Sequence, residues 1–283
     1  MIRLFVPDAL SAGGRVALAD GPAHYLRDVM RRKAGDAILL FNGRDGEWRA
    51  EIVELGKRVL ALTVAEGTRP QTPIPDLELI VALVKRPRLE TIVEKAAELG
   101  AARVRLAITE HAQGQRTNVE RLAAIATEAA EQTGRLDVPT IDAPAKLEAV
   151  LAAWPNHRAL IFCDESGGEP LLSSLLPLRE KVARAAGRMR GLSEPSAKAA
   201  SPSRGERSAT PHPSASPPPS PARGEGASIL IGPEGGFSPA ERAQIRAVSG
   251  VIPVSLGPRI LRADTAAIAA MSLWQAALGD WRP

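Results

Sequence analysis

The chain has 283 residues, 45% hydrophobic and 24% charged, which is apolar material for about two cores and excludes a wholly disordered or fibrous protein. Its one cysteine, Cys163, excludes an intrachain disulfide framework and a multi-cysteine zinc site, and fits a reducing compartment, by default the cytoplasm. The formal charge of +4 hints at nucleic acid, yet residues 179–228 hold nine basic and four acidic side chains, so the rest of the chain carries a net −1. A case for RNA therefore rests on local clusters.

The opening MIRLFVPDAL carries Arg3 and Pro7 and lacks the apolar run of a secretory signal. The uncharged stretch Thr265 to Gly279 is shorter than a membrane span and contains Ser272 and Gln275. Neither export nor membrane insertion is expected.

Residues 1–70 read as short strands at Ile38 to Asn42, Glu47 to Leu55 and Val59 to Glu66, with turns at Gly43 to Gly46 and Gly56 to Arg58. This pattern predicts a small β-barrel or sandwich. The stretch PQTPIP, Pro70 to Pro75, reads as a linker, and a second domain is expected over 76–283. There the apolar runs Leu77 to Val84, Val104 to Thr109, Ala159 to Cys163, Ile229 to Ile231 and Val251 to Leu256 alternate with helical patterns, which predicts a mostly parallel sheet covered on both faces. Leu89, Ile92, Val93, Ala96 and Leu99 recur at helical spacing before a stop at Gly100. Thr117 with Glu120 reads as a capping box before a helix that Gly134 closes, and Ser238-Pro239-Ala240-Glu241 reads as a second box. Residues 195–221 hold eight prolines and seven serines, so a disordered insertion is expected at about 191–227, after a candidate helix at Glu180 to Arg190. The fold class is α/β with an N-terminal β domain.

Ligands of open α/β sheets sit beyond the carboxyl ends of strands. Two such loops stand out, Gly232-Pro233-Glu234-Gly235-Gly236 and Leu256-Gly257-Pro258-Arg259-Ile260-Leu261-Arg262. Neither is a Walker A or a dinucleotide fingerprint. Each alone also reads as a tight strand-to-helix turn, but Ile260 and Leu261 are apolar in a loop, where they would serve as a pocket wall.

ILIGPEGGFS (Ile229 to Ser238), Glu241 and LGPRILRADTA (Leu256 to Ala266) resemble the signature of the SPOUT-class methyltransferases, specifically the bacterial family that methylates N3 of a uridine in 16S ribosomal RNA of the small subunit. The likeness extends to Leu83-Val84-Lys85, Glu94 to Gly100, Glu128 to Pro139 and HYLRDVMRRKAGD (His24 to Asp36), covering nearly the whole chain outside 180–227. It implies a C-terminal trefoil knot, a PUA-like RNA-binding β domain over 1–70, a homodimer that completes the site, and S-adenosylmethionine held by the two loops. The candidates to hold it are Ile231, Gly232, Glu234, Gly235, Gly236, Leu256, Gly257, Ile260, Leu261, Arg262 and Thr265. Asp264 departs from the family's glutamate before the threonine; the shorter carboxylate remains a candidate cap for the last helix.

In this reading Arg262 stabilises the uridine anion left when N3 loses its proton, with an ion pair to Asp264 or Glu234 as the plainer alternative. Arg135 is a second candidate for uracil or phosphate, and Glu234 a candidate base, with no residue secure in that role. Arg27, Arg31, Arg32 and Lys33, with His24 beside them, form a candidate RNA cluster opposed by Asp28. Lys85, Arg86 and Arg88 sit at a helix start, where the dipole disfavours cations, so they read either as phosphate contacts or as a solvated face. Cys163 reads as a core thiol, and Trp154, Trp274 and Trp281 as packing or dimer contacts. Two other readings remain: another SPOUT reaction, at ribose 2′-O or guanosine N1, and a non-catalytic RNA-binding factor of ribosome assembly.

Overall fold

The computed structural model describes all residues except 19, 57–59, 114–116, 157, 176–225 and 282–283. The candidate helix at 180–190 and the proline- and serine-rich stretch at 195–221 lie outside the described residues.

The N-terminal sheet has five strands, β1 (Arg3–Phe5), β2 (Arg15–Leu18), β3 (Ala37–Phe41), β4 (Glu47–Leu55) and β5 (Leu60–Arg69), in the order β1-β3-β4-β5-β2. All pairs are antiparallel except β1 with β3. Alternate residues point inward, so Leu4, Val16, Ile38, Leu40, Ile52, Leu60 and Leu62 share one core on the concave side of this curled sheet. Between β2 and β3 run α1 (Asp20–His24) and a π-helical turn (Tyr25–Val29), neither of which the strand pattern had indicated.

The second sheet is parallel throughout. It comprises β6 (Leu77–Ala82), β7 (Arg103–Ile108), β8 (Thr140–Ile141), β9 (Ala145–Lys146), β10 (Ala159–Cys163), β11 (Glu169–Pro170), β12 (Ala227–Ile231) and β13 (Val251–Ser255), in the order β11-β13-β10-β12-β6-β7-β8, with β9 beside β7. The apolar runs are continuous because both faces are covered. Leu77, Leu79, Val81, Ile161, Ile229 and Ile231 enter one core with α2 (Arg86–Glu98), α3 (Val119–Thr133) and α6 (Ala263–Ala277). Their neighbours Ile80, Leu160, Phe162 and Leu230 enter the other, with α4 (Leu147–Ala152) and α5 (Pro239–Arg246). The chain between β11 and β12 includes residues 176–225, outside the described residues, so the expected knot is not traced.

The helix ends follow local chemistry. Ser238 and Glu241 exchange the two hydrogen bonds of a capping box, with Pro239 at the first helical position. At α3 the expected box at Thr117 is absent. Asn118 caps the helix instead, its side-chain oxygen accepting from the Arg121 N–H, and Gly134 ends it in the left-handed conformation. Asp264 is not the cap of α6. That position belongs to Arg262, which offers no side-chain acceptor, and Asp264 accepts from the Thr265 N–H within the first turn.

The two sheets meet through charge. Arg3 lies over the Phe41 ring and donates to the carbonyls of Ala130, Glu131 and Arg135 at the end of α3, while its Nε reaches Glu47 at 2.7 Å. Arg69 donates to Glu47 and to the Gly134 carbonyl. Burial alone would raise the Glu47 pKa, but hydrogen bonds from Arg69, Arg3 and Thr68 outweigh it and hold the carboxyl at about 2. A depressed native pKa means that this network stabilises fully above the ordinary glutamate value and is lost as pH falls through about 4.5 towards about 2. Glu47→Gln should therefore cost about 3 kcal/mol at neutral pH and flatten the acid limb over that window. Urea unfolding of both proteins from neutral pH downward checks it, and an unchanged acid limb would place the pH dependence elsewhere.

Candidate functional site

Strands β10, β12 and β13 lie side by side and parallel, so the loops that follow them share one edge of the sheet. They enclose a cavity of about 380 Å³ whose walls come from 163–165, 231–234 and 255–263, with Ala266 of α6 and Arg88 of α2. The volume falls in the range of small-molecule sites.

The glycine-rich loop is shaped by close approaches. Gly236 has φ +67°, and a Cβ there would collide with the Glu165 carboxylate; at Gly232 it would come within 2.8 Å of the Phe237 ring. At Gly235 a Cβ would meet His111 at 3.1 Å and not the cavity. The absent side chain therefore serves packing against the loop after β7, and Gly235 does not line the cavity. His111 holds the same turn, its Nδ1 lying 3.1 Å from the carbonyl oxygens of both Gly235 and Gly236, so this nitrogen donates.

Beneath the loop lies a charge cluster that sequence patterning had not singled out. Asp164, buried at the end of β10, accepts from Arg242, from Arg246 at 2.6 Å and from Ser166. Arg242 also donates to Glu165 at 2.5 Å and to the Phe237 carbonyl. Burial would raise the Asp164 pKa, but the Ser166 N–H and the two guanidinium groups outweigh it, and the carboxyl titrates below the ordinary aspartate range. Helix α5 is thereby pinned to the loop after β10, and both the 163–165 wall and the glycine turn are fixed. The available signal was position: Asp164-Glu165 directly follows an apolar strand, the place where ligand loops of such sheets occur.

Of the sequence candidates, Ile231, Gly232, Glu234, Leu256, Gly257, Ile260, Leu261 and Arg262 line the cavity, as does Arg88. Glu234 faces Arg88 at 3.6 Å. Leu261 packs on the core, whereas Ile260 is 84% exposed. Arg262 is exposed and, among the described residues, its side chain pairs with neither Asp264 nor Glu234 nor any other carboxylate. Gly236 and Thr265 stand outside the cavity lining.

Arg135 is corrected. Its guanidinium is 9% exposed and spent on Asp137 and on the carbonyls of Ala97 and Ala101, so it ties α2 to α3 and reaches no ligand in this cavity. Cys163 is half-buried on the cavity wall, where burial pushes its thiol up to about 12 and keeps it protonated. Trp154 and Trp274 are buried, and Trp281 is exposed. The N-terminal cations run from the end of α1 through the π-helical segment to the residues just after it: Arg27 pairs with Asp28, His24 also reaches Asp28, Arg32 lies 4.0 Å from Asp36, and Arg31 and Lys33 are exposed. Lys85 is exposed, and Arg86 is drawn onto Glu90 together with Arg121.

The chain is similar to known proteins. Residues 18–64 match the RNA methyltransferase PUA domain family. The curated relatives include the ribosomal RNA small subunit methyltransferase E of Rickettsia conorii, 27% identical over 95% of this chain and 93% of that protein. The protein of the same name from Bacillus subtilis is 28% identical over 88% and 85% of the two chains. Among solved structures, the Neisseria gonorrhoeae ribosomal RNA small subunit methyltransferase E bound to S-adenosyl methionine superposes with a TM-score of 0.72 at 23% identity, covering 97% of both chains, a likeness of fold. A Legionella pneumophila methyltransferase in complex with S-adenosylmethionine gives 0.71 at 27% identity over 98% and 97%. The fold is that of the SPOUT methyltransferases, a parallel sheet between helices preceded by a PUA-like domain. Residues 70–205 and 204–275 match the RNA methyltransferase domain, and the chain belongs to that family.

Proposed function

We propose that this protein transfers a methyl group from S-adenosylmethionine to N3 of a uridine in the 16S ribosomal RNA of the small subunit. The observation that carries the reading is the cavity at the ends of β10, β12 and β13 with the unpaired Arg262 at its rim. The relatives named above, aligned over nearly their whole length, supply the substrate class, and the resemblance of the two loops supplies the target atom. A ribosomal substrate supports the cytoplasm as the place of action. No helix among the described residues is long and apolar enough to cross a membrane.

The residues present fit the cofactor. Ile231, Leu256, Leu261 and Ala266 give the cavity an apolar side for a purine, Gly232 and Gly257 leave backbone accessible, and Glu165 and Glu234 provide carboxylates for polar and cationic groups. When bound, S-adenosylmethionine supplies an electrophilic methyl whose sulfur departs as a neutral thioether with the C–S bonding pair as N3 takes the methyl.

The protein's part is to make N3 nucleophilic. Loss of the N3 proton spreads negative charge over the two ring carbonyl oxygens, and the Arg262 guanidinium, carried at the start of α6 and paired with no carboxylate among the described residues, is available to that charge. Glu234 stands on the cavity wall within reach of Arg88 and is the candidate to accept the proton. Residues 1–70 serve to hold RNA and 76–283 to carry the reaction. Gly235 and Gly236 shape the loop from behind its wall, and Thr265 contributes through the first turn of α6.

A second copy of the chain completes the site. Ile260, 84% exposed beside the cavity, together with exposed Leu172 and partly exposed Ile268, is apolar surface that a dimer would cover. Light scattering should give twice the chain mass, and Ile260→Asp should return the monomer.

Two further measurements test the chemistry. Nucleoside mass spectrometry of small-subunit RNA incubated with the protein and S-adenosylmethionine should show 3-methyluridine; a 2′-O-methyl nucleoside or 1-methylguanosine would assign another reaction, and no mark would favour a binding factor. Arg262→Ala should lower the single-turnover rate roughly 10²- to 10³-fold while leaving cofactor affinity nearly unchanged. Its rate should also need higher pH, and Arg262→Lys should restore only part because a point charge does not reproduce the planar fork. An unchanged rate and pH profile would make Arg262 structural.

A further inference from the structure

The turn between β2 and β3 has two faces of opposite use. Inward, Ala23 and Leu26 are buried in the core of the N-terminal sheet, Leu26 completely. Outward, three large apolar side chains stand in solvent within six residues: Tyr25 is 40% exposed, Val29 59% and Met30 37%. An isolated exposed hydrophobe needs no explanation, but a cluster on one short turn marks a contact surface.

The backbone here is unusual as well. Residues Tyr25–Val29 form a π-helical turn, a rare conformation that recurs at functional sites. Arg31, just after it, is the one non-glycine residue with positive φ among the described residues, at +52°. Outliers of this kind persist where the surroundings impose them, and they cluster at binding sites. A regular helix would keep Val29 on the face of Tyr25 but turn Met30 away, whereas the wider turn brings Met30 round to the same side, beside a string of cations.

The charge around the apolar cluster selects its partner. Arg27, Arg31, Arg32 and Lys33 face two nearby carboxylates, Asp28 and Asp36. Asp28 is already engaged by Arg27 and His24, which keep it ionised and locally neutralised. Arg31 and Lys33 are exposed without a carboxylate partner among the described residues, and the Arg32 Nε is buried without an acceptor. An aromatic ring flanked by aliphatic side chains and bordered by unneutralised cations matches a base with its phosphates. The base must be unpaired, because in an A-form duplex both faces are covered by neighbouring pairs. With one ring available, one nucleotide is held.

We propose that the turn 25–33 is a stacking clamp for a single unpaired nucleotide of the RNA, with Tyr25 as the platform, Val29 and Met30 as its apolar border, and Arg31 and Lys33 on the adjoining phosphates. The inference deepens the reading of the chain as an RNA methyltransferase and rests on it. The clamp distinguishes single-stranded from duplex RNA, and base identity contributes little, because every base offers a π-face.

Tyr25 is the only tyrosine in the chain, so fluorotyrosine labelling gives the full-length protein one fluorine resonance, located at the proposed platform. Titration with a single-stranded oligouridylate should shift that resonance in parallel with binding measured by fluorescence anisotropy, and a blunt RNA duplex of equal length should leave it in place. Tyr25→Ala should weaken oligouridylate binding roughly 10- to 100-fold, while Tyr25→Phe keeps it. S-adenosylmethionine binding, measured by calorimetry, should be the same in all three proteins, which also reports that the variants are folded. Oligouridylate binding with an unmoved resonance overturns the clamp and leaves the methyltransferase reading intact. Failure of the protein to bind any RNA overturns both. A resonance that moves with intact small subunits but not with naked RNA assigns the patch to a protein partner and overturns the proposal.

Discussion

A parallel sheet buried on both faces leaves its protein one place to do chemistry. With α2, α3 and α6 on one side and α4 and α5 on the other, neither face of β6, β7, β10 and β12 is open, and the strands present only their ends. Because all of them run the same way, the carboxyl-terminal loops of β10, β12 and β13 gather at one edge, and the amino-terminal ends, where β6 leaves the 70–75 linker, gather at the other. The cavity is thus a consequence of topology, and its chemistry is set by which residues stand in three short loops.

Two of those loops are held from outside, the one after β10 by charge and the glycine turn by a histidine. Asp164 fixes Arg242 and Arg246, and through them binds α5 to the end of β10; His111 reaches from the loop after β7 to the turn at Gly235 and Gly236. A half-exposed loop held only by turn geometry would sample many shapes, whereas one crossed by a buried carboxylate with two guanidinium partners has its geometry imposed from below. The same device joins the domains, where Glu47 gathers Arg3 and Arg69 against the end of α3. In both places the paired charges are part of the framework and are unavailable to a ligand.

The main strands of the second sheet were legible because burial on two faces writes uninterrupted apolar runs into the order of residues. Capping was legible where chemistry is unambiguous, as at Ser238 with Glu241. It misled at Thr117, because Asn118, one residue later, offers an equally good acceptor and a helix start can shift by one. The cavity loops were legible through missing side chains, but the reason for each glycine was not: Gly235 yields space to His111, more than one hundred residues away in the chain, a contact that no local pattern encodes. The same distance hid Arg242 with Asp164 and made Arg135 resemble a ligand residue when its partners are Asp137 and two helix carbonyls. An arginine's function depends on whether its carboxylate is already present, and that is a property of tertiary structure.

This dependence orders the charges around the cavity. Asp164, Glu165 and Glu234 lie on its wall, and each already faces an arginine: Asp164 both Arg242 and Arg246, Glu165 Arg242, and Glu234 Arg88. Arg259 and Arg262, on the loop after β13, face no carboxylate among the described residues. The balance leaves the rim cationic although the wall is acidic. On the proposed reading these two side chains would draw an anionic polymer to the mouth, and a ring that became negative only during reaction would meet Arg262 without displacing a resident partner. Had Arg262 been tied to Asp264, its charge would already have been spent. The extended backbone of Arg262 at the cap of α6, followed by Asp264 turned onto the Thr265 N–H, keeps the two apart.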